Sequence, residues 1–458
     1  MFLKGELKMK KARLFKLLMA ISIPLVFLAG CAVEPIETNA VAYPFMEDQL
    51  KAQNLSEATG FYAENTVAYR NASNETTVRI YSAPIEDSEN AITQNTDGGY
   101  IGDGKFIKKS LPEAWSSKNP ICIKDGTNFA EITPAQIGEY NFEQKSFVNM
   151  FGQSRDAMIY EDAFGKGTDL NCSVTSFGVN MEIVFPKRPE QNTYQIKLKL
   201  PELIPDTGSP DYILFKTALE KSEVRTVLEN PLAADKNGKW SYANSVKLVD
   251  KDSASGVYTV EYTIDETFIS SESTKYPVKV NQSINLYKSK QPDTSAYENT
   301  GEEAGHYLSP YMLLGDSTIK GEGWTFVRYE TLDLLNIPAE KIISAKYVFR
   351  NLFDVSKEVT IGAYAVTNDW CSMNTRWFNR PTYDEQPISQ VVVQKAADYS
   401  LDITSLFKEM IKNKWREEPK YSIRNSFMIK SDTKDSNIIF SSGDGGLFSP
   451  YLEVVLAE

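Results

Sequence analysis

The sequence predicts a mainly β protein built from tandem antiparallel β-sandwiches of jelly-roll type, with a few short helices. Two observations predict this class. Short runs rich in β-branched and aromatic residues recur from about residue 61 to the C-terminus, and several alternate apolar with polar residues, as strands with one solvated face do. Turn-forming clusters such as 206–210 and 235–238 separate the runs, as expected between antiparallel strands.

Residues 1–30 divide into a basic stretch and a following apolar stretch. The first contains six Lys and Arg side chains, and residues 17–28 carry no charge. This order is typical of a secretory signal, because the apolar run is too short to span a bilayer comfortably. Leu28-Ala29-Gly30-Cys31 resembles the bacterial lipobox, in which small residues precede a thiol that receives a diacylglyceryl group. We therefore expect a lipoprotein signal peptide and a lipidated Cys31; the alternative is an ordinary signal peptide or an N-terminal membrane anchor.

Charge and cysteine content narrow the function classes. The chain has a net charge of −12, and residues 1–30 contribute +5 from six basic groups and Glu6, which leaves −17 for the remainder. Such an acidic domain argues against a nucleic-acid partner, because phosphate recognition requires clustered Lys and Arg. Beyond Cys31 only Cys122, Cys172 and Cys371 remain. An odd number leaves at least one thiol unpaired, and the spacing indicates neither a zinc motif nor which two thiols would form a disulfide.

After the signal, the predicted order is a tether at 31–60, a β-rich segment at 61–144, a β-sandwich at 145–287 and a second β-sandwich at 288–458. The strands predicted with the clearest β pattern are 76–81, 181–185, 194–200, 257–264, 346–349, 360–366, 390–393, 426–429 and 451–456. One helix is predicted over Ser405–Trp415, with Asp402 and Thr404 as capping residues. Its apolar stripe consists of Leu406, Phe407, Met410 and Ile411.

Six ordered pieces of residues 288–458 resemble a known family. They are Phe326-Val327-Arg328-Tyr329, Ile342-Ile343-Ser344-Ala345-Lys346-Tyr347, Asn368-Asp369-Trp370 with Thr375 to Pro381, Leu401-Asp402-Ile403-Thr404, Ile438 to Ser442, and Ser449 to Val454. Together they resemble the DNRLRE domain, also described as disaggregatase-related and classed with family 96 carbohydrate-binding modules. The sequence departs from the family pattern after the Arg, where Tyr329-Glu330-Thr331 replaces the usual Phe-Asp-Leu.

Earlier segments extend the resemblance. Residues 159–170 and 276–280 look like the β-rich segment that precedes DNRLRE domains in large Gram-positive wall-associated and RHS-type proteins, and 64–66 and 81–85 are similar to a still earlier segment. Asn281-Gln282-Ser283 replaces the usual Asp-Pro-Thr, and no Tyr-Asp repeats or toxin module follow. The resemblance thus implies the leader modules of such a protein, carried on a lipid anchor.

Catalytic signals are weak. The single histidine, His306, lies in a polar, Gly-containing stretch that favours a solvated loop, and the nucleophile, zinc-protease and nucleotide-binding motifs are missing. A glycosidase needs only two carboxylates, and nothing selects one pair among the 61 acidic residues. We expect no catalytic residues and no cofactor. A structural Ca²⁺ held by acidic turns stays open, although no ligand spacing indicates one.

Four aromatic residues of the C-terminal sandwich are the candidate ligand contacts. Trp370 and Trp377 occupy signature positions, where we expect core packing more often than ligand contact. Trp324 and Tyr383 lie in turn-like contexts and are expected to be exposed, so they are the preferred candidates. Carbohydrate-binding surfaces present aromatic faces backed by polar groups, which is why these residue types matter.

The leading hypothesis is a non-enzymatic protein, lipid-anchored at the extracellular face of the cell membrane, whose C-terminal sandwich binds polysaccharide or an envelope protein. A structural or adhesive spacer is the second hypothesis, and a polysaccharide-degrading enzyme is the third. An exposed aromatic platform favours sugar binding over the spacer.

Overall fold

The computed structural model describes most of the chain from residue 65 onward. The described residues are 56–57, 65–70, 73–82, 93–94, 100–103, 107–126, 128–136, 138–152, 154–175, 177–218, 223–252, 254–286, 293–297, 309, 311–317, 320–329, 337–371, 375–413, 426–443 and 448–458. The predicted signal peptide, Cys31 and His306 lie outside them.

Strands dominate the described residues. As far as residue 285 they are β1 (Ser56–Glu57), β2 (Thr66–Arg70), β3 (Thr76–Tyr81), β4 (Thr93–Gln94), β5 (Tyr100–Asp103), β6 (Lys108–Leu111), β7 (Ala114–Ser116), β8 (Ile121–Asp125), β9 (Asn128–Pro134), β10 (Glu139–Val148), β11 (Ser154–Tyr160), β12 (Asp169–Val174), β13 (Gly178–Phe185), β14 (Thr193–Lys199), β15 (Leu203–Asp206), β16 (Tyr212–Thr217), β17 (Val224–Glu229), β18 (Leu232–Ala234), β19 (Trp240–Ser241), β20 (Ser245–Asp252), β21 (Val257–Thr263) and β22 (Val278–Asn285). The later strands are β23 (Asp293–Tyr297), β24 (Tyr311–Ser317), β25 (Gly321–Arg328), β26 (Ile342–Arg350), β27 (Val359–Ala365), β28 (Ser389–Val393), β29 (Asp398–Asp402), β30 (Ser426–Ser431), β31 (Asn437–Ser441) and β32 (Tyr451–Leu456). The helices are α1 (Glu266–Ser270), α2 (Thr404–Asn413) and a 3₁₀ turn at Ala339–Lys341.

The first sandwich consists of two eight-stranded antiparallel sheets. Their strand orders are β19-β18-β22-β13-β12-β11-β10-β7 and β20-β21-β14-β9-β8-β6-β5-β4, and β15-β16-β17 forms a small third sheet beside them. Strand β14 illustrates why the sequence folds this way: Tyr194, Ile196 and Leu198 are buried, and the residues between them are exposed. Alternation of this kind directs one face of each sheet into a shared apolar core.

The second sandwich packs a six-stranded sheet, β1-β2-β3-β32-β26-β29, against a seven-stranded sheet, β28-β27-β30-β25-β24-β31, in which β23 also pairs with β25. Its core includes Val78 and Ile80 of β3, Ile361 of β27, Phe427 of β30 and Leu452 of β32, all fully buried. Helix α2 covers one end of this core with Phe407, Met410 and Ile411.

The strand pairing crosses the domain boundaries predicted from the sequence. Strand β3 pairs along its length with β32 near the C-terminus, from Thr76↔Leu456 to Tyr81↔Tyr451. Strand β9 instead joins the first sandwich by pairing with β14. The predicted segment 61–144 is therefore divided between the two sandwiches, and β1 lies within the predicted tether. Local patterns identify strands but not partners that are hundreds of residues away.

The two sandwiches contact each other through a small apolar cluster, and both belong to one compact unit, Val41–Glu458. This junction includes Leu232 from the first sandwich and Leu313 and Ile439 from the second. Beside it, the Tyr311 hydroxyl donates to Asn281 Oδ1 at 2.5 Å. The junction thus covers the β24–β31 end of the seven-stranded sheet.

The predicted fold class is confirmed, and the nine predicted strands correspond to β3, β13, β14, β21, β26, β27, β28, β30 and β32. The predicted helix corresponds to α2, and Asp402 Oδ1 accepts a hydrogen bond from the Thr404 backbone N–H at 2.9 Å. In the described part of the chain, none of the helices has the length and apolar character required to cross a membrane.

Candidate functional site

The outward face of the seven-stranded sheet carries the four predicted ligand-contact residues. Alternation along β25 directs Val327 into the core and Trp324 and Phe326 to the outer face, where Tyr364 of β27 and Met428 of β30 join them. We call Trp324, Phe326, Tyr364, Trp370, Trp377 and Tyr383 the aromatic cluster. It lies on the same outward face as the junction residues of β24, one strand further along the sheet.

The structure brings Trp324, Trp377 and Tyr383 into direct contact. The ring centroid of Trp324 is 4.9 Å from that of Trp377 and 5.2 Å from that of Tyr383. The Tyr383 ring also meets Tyr364 edge-on, with centroids 5.4 Å apart. Such tilted and edge-to-face geometries are favourable for aromatic pairs. Residues 375–383, which we call the aromatic loop, therefore fold back onto the sheet.

Trp370 packs further along the same face. Its ring centroid is 5.7 Å from that of Phe326, and its indole N–H donates to Ser426 Oγ at 3.1 Å. Only 8% of Trp370 is exposed, in agreement with the expected core role. Trp370 therefore packs against the rest of the cluster and is too buried for direct ligand contact.

One exposure prediction, that for Trp324, was wrong. Trp324 is 7% exposed rather than solvent-facing, because it lies within β25 and the aromatic loop covers it. Gly321 and Gly323 gave its surroundings the composition of a turn. Trp377, expected in the core, is half-buried, and so is Tyr383, whereas their neighbour Phe378 is 65% exposed.

A guanidinium group stacks on the aromatic cluster. Arg380 lies 4.0 Å from the ring centroid of Trp377 and 4.5 Å from that of Trp324. Cation–π contacts at these distances hold the aromatic loop in place. Arg380 forms no ion pair within the described part of the chain.

A polar cluster, which we define as Tyr364, Gln390, Lys430 and Asp432, adjoins these rings. The Asp432 carboxylate accepts hydrogen bonds from the Tyr364 hydroxyl at 2.6 Å, Gln390 Nε2 at 2.8 Å and Lys430 Nζ at 2.8 Å. Burial alone would raise the pKa of Asp432, but these hydrogen bonds outweigh it and lower the pKa below its ordinary value. Asp432 is therefore ionised at neutral pH.

Strand register explains why these polar groups meet. Gly362 of β27 lies directly opposite Gln390 on one side and Lys430 on the other, and Lys430 in turn lies opposite Trp324. Directly opposed residues of antiparallel strands project from the same face. The glycine leaves the space above it open, and the Tyr364 and Asp432 side chains meet there.

Sequence reasoning identified the aromatic residues but not the polar cluster. The alternating patterns of β27, β28 and β30 would have placed Tyr364, Gln390 and Lys430 on outward faces. Their adjacency depends on the order of strands in the sheet, which alternation does not specify.

Metal and thiol chemistry find little support among the described residues. They contain no group of three or more His, Cys, Asp or Glu side chains that could hold a metal ion. Cys122, Cys172 and Cys371 are all unpaired. Burial raises the pKa of the Cys172 thiol well above its ordinary value, so that thiol is unreactive.

Comparison with known proteins supports a carbohydrate-binding class for this region. Residues 325–455 match the family model of carbohydrate-binding module family 96, and this range contains both the aromatic loop and the polar cluster. No curated protein matches the chain.

Among solved structures, the chain is compared with exo-β-1,3-galactanase from Phanerochaete chrysosporium in complex with galactose. The identity is 8%, the alignment covers 87% of this chain and 99% of that chain, and the TM-score is 0.12. A variant of the same enzyme with β-1,3-galactotriose gives 10% identity, coverage of 87% and 84%, and a TM-score of 0.12.

Proposed function

We propose that this chain is a non-enzymatic cell-surface protein that binds polysaccharide through the outer face of the seven-stranded sheet. The observation that carries the proposal is the pairing of half-buried Trp377 and Tyr383 with the polar cluster, inside the range that matches a carbohydrate-binding module. A structural spacer would not require this combination on one open surface.

The chemistry of the surface suits a sugar. The half-exposed rings of Trp377 and Tyr383 offer apolar contact to the C–H face of a pyranose, and Asp432, Gln390 and Lys430 supply acceptors and donors for its hydroxyls. The side chains of Lys430 and Asp432 are only 16% and 20% exposed, so they are held in fixed positions. The Arg380 guanidinium, which stacks on Trp377, adds further N–H donors.

The carboxylate at the site lacks the property that a glycosidase general acid requires. A glycosidase general acid needs a raised pKa so that it stays protonated near neutral pH. The pKa of Asp432 is shifted in the opposite direction. Asp432 is therefore suited to accepting hydrogen bonds from a ligand.

The binding proposal is tested with Tyr383→Ala and Asp432→Ala, assayed by affinity electrophoresis against laminarin, xylan, mannan and pectin. We expect each substitution to weaken binding about tenfold or more, because truncating a central aromatic or polar anchor costs roughly 1–3 kcal/mol. The control is Tyr276→Ala, which removes another half-buried tyrosine, from the first sandwich. Retention of full affinity by both site variants would reject this surface, and absence of binding by the unaltered protein to any polysaccharide would reject the proposal.

The lipid anchor is a separate part of the proposal, supported by the lipobox-like sequence that ends at Cys31. We expect cells expressing the protein to incorporate labelled palmitate into it, and Cys31→Ser to abolish the label and release the protein from the membrane fraction. Label that persists in Cys31→Ser would contradict anchoring at this residue.

A further inference from the structure

We propose that the first sandwich positions the aromatic loop and thereby sets the ligand affinity of the second sandwich. The positioning residues are Asp211 and Tyr212 in the first sandwich and Lys320 and Arg376 in the second. The inference rests on the proposed function, because it concerns the same site.

The first contact joins the start of β25 to the small sheet of the first sandwich. Lys320 immediately precedes β25, and its side chain is only 4% exposed. Its Nζ lies 3.7 Å from Asp211 Oδ2 and 4.9 Å from the ring centroid of Tyr242. A buried ion pair contributes little net stability, but it fixes the relative position of the elements that it joins. Trp324 follows four residues later, within β25.

A second link to the first sandwich lies at the aromatic loop itself. Tyr212, the first residue of β16, is buried, and burial raises the pKa of its hydroxyl to about 12. The Arg376 guanidinium acts in the opposite direction, so its positive charge lies near the tyrosine. The backbone N–H of Arg376 donates to Asn379 Oδ1 at 2.6 Å, which shapes the turn that carries Trp377. The Arg376 charge, on the residue before Trp377, therefore lies close to the first sandwich.

One sheet face thus serves two purposes. Its β24–β31 end is covered at the junction by the first sandwich, and its β25–β30–β27 part carries the ligand site. Because Lys320 leads directly into β25, which carries Trp324, a shift of the first sandwich displaces the strand against which the aromatic loop packs. The first sandwich is in this sense part of the binding site, although it supplies no ligand-contact residue.

The experiment replaces Asp211 in the full chain and reads out loop position and affinity separately. The protein is labelled with 5-fluorotryptophan, and the Trp377 resonance is assigned from its loss in Trp377→Phe. We expect Asp211→Asn to move this resonance and to weaken binding about five- to tenfold, as coupled contacting groups do. Asp211→Glu, which keeps the charge, should restore both quantities. The control is Glu131→Gln, which breaks a partly exposed ion pair of the first sandwich with Lys199, 2.9 Å long, and should change neither.

The two readouts separate this inference from the proposed function. A moved resonance with unchanged affinity, or weakened affinity with an unmoved resonance, would overturn the positioning role. If Asp211→Asn fails to fold, Arg376→Gln is used instead. It removes the positive charge near Tyr212 and is judged by the same two readouts. If the unaltered protein binds none of the polysaccharides, the proposed function and the affinity claim fail together. The fluorine resonance then still decides whether the first sandwich positions the loop.

Discussion

Position 362 of the binding surface requires glycine because neighbouring side chains approach it closely. Its backbone conformation does not require glycine. A Cβ at this position would lie 2.8 Å from both the Tyr364 hydroxyl and Asp432 Oδ2. Both atoms are ends of side chains that can move, so we expect Gly362→Ala to fold but to displace the Tyr364–Asp432 hydrogen bond. Polysaccharide affinity should fall about tenfold, as for loss of a central anchor, measured by affinity electrophoresis alongside thermal denaturation.

The matched control for this substitution is Val249→Ala, which shortens an exposed side chain in the first sandwich. Unaltered affinity in Gly362→Ala would show that the hydrogen bond on Asp432 does not contribute to binding. A large loss of thermal stability would instead indicate that the glycine has a packing role.

Glu182 links stability to pH at the junction. Its side chain is fully buried, and burial raises its pKa to about 7, against the weaker opposing effects of Lys279 and the Met150 N–H. The folded state therefore holds one more proton than the unfolded state between about pH 4.5 and about pH 7. Because proton uptake stabilises the state that binds it, this contribution is present below that window and is lost as the pH rises through it.

We expect Glu182→Gln to remove this contribution. The free energy of unfolding of the unaltered protein, measured in urea, should fall relative to that of Glu182→Gln as the pH is raised from about 5 to about 8. Glu131→Gln, in the partly exposed pair with Lys199, serves as the control and should leave the pH dependence unchanged. Parallel pH profiles for the unaltered protein and Glu182→Gln would contradict the raised pKa.

At the residue scale, the sequence predicted which residues belong to the site better than it predicted how exposed they are. Residue type and family position singled out Trp324, Trp370, Trp377 and Tyr383, and the structure places all four on one face. Exposure depends on what the aromatic loop covers, and that is a tertiary property. Trp324 was therefore assigned to the surface although it is buried, and Trp377 to the core although it is half-buried.

At the element scale, β3 belongs to the core of the second sandwich although it is far from it in sequence. Ile80 is fully buried against that core, whereas Ile343 of β26, in the same sheet, is 48% exposed. We expect Ile80→Ala to lower the free energy of unfolding by about 2–5 kcal/mol, since it leaves a cavity. The matched substitution Ile343→Ala should change it by less than about 0.5 kcal/mol.

Urea denaturation of both variants measures the two values. Equal, small effects would mean that β3 does not pack in the core of the second sandwich. Loss of polysaccharide binding in Ile80→Ala, but not in Ile343→Ala, would further indicate that the N-terminal strands support the site.

The existence of elements was predictable because alternation and turn residues are local signals. Strands β14 and β21 were found within one residue of their observed bounds for this reason. Strand partners were not predictable in this way. The pairing of β3 with β32 depends on contacts across almost the whole chain, and nothing in residues 76–81 specifies it.

At the scale of the whole molecule, the second sandwich is discontinuous in sequence. The chain begins it with β1, β2 and β3, builds the first sandwich, and then returns to complete it. A lipid at Cys31, as proposed, would therefore precede in sequence the sandwich that carries the ligand site. The first sandwich would be an insertion that contacts this site from the side.

This arrangement predicts that residues 325–455, the range that matches the carbohydrate-binding family, do not fold alone. The fragment lacks β3, which pairs with β32, and β24, which lies between β25 and β31. It would leave an unpaired edge on each of β32, β25 and β31 and lose buried residues such as Val78, Ile80, Met312 and Leu314. We expect poor amide dispersion by NMR, dye binding to exposed apolar surface, and no retention by polysaccharide.

The control is residues 65–458, which should show a dispersed spectrum and the affinity of the full chain. A more demanding test adds a synthetic peptide of residues 65–82 to the fragment 293–458, which retains β24. Because the peptide supplies β2 and β3, it should restore dispersion if strand pairing is what the fragment lacks. Binding should return with it, at the weaker affinity expected without the first sandwich. A folded, fully binding fragment 325–455 would show instead that the matched range folds alone and that the N-terminal strands are not needed for its folding or binding.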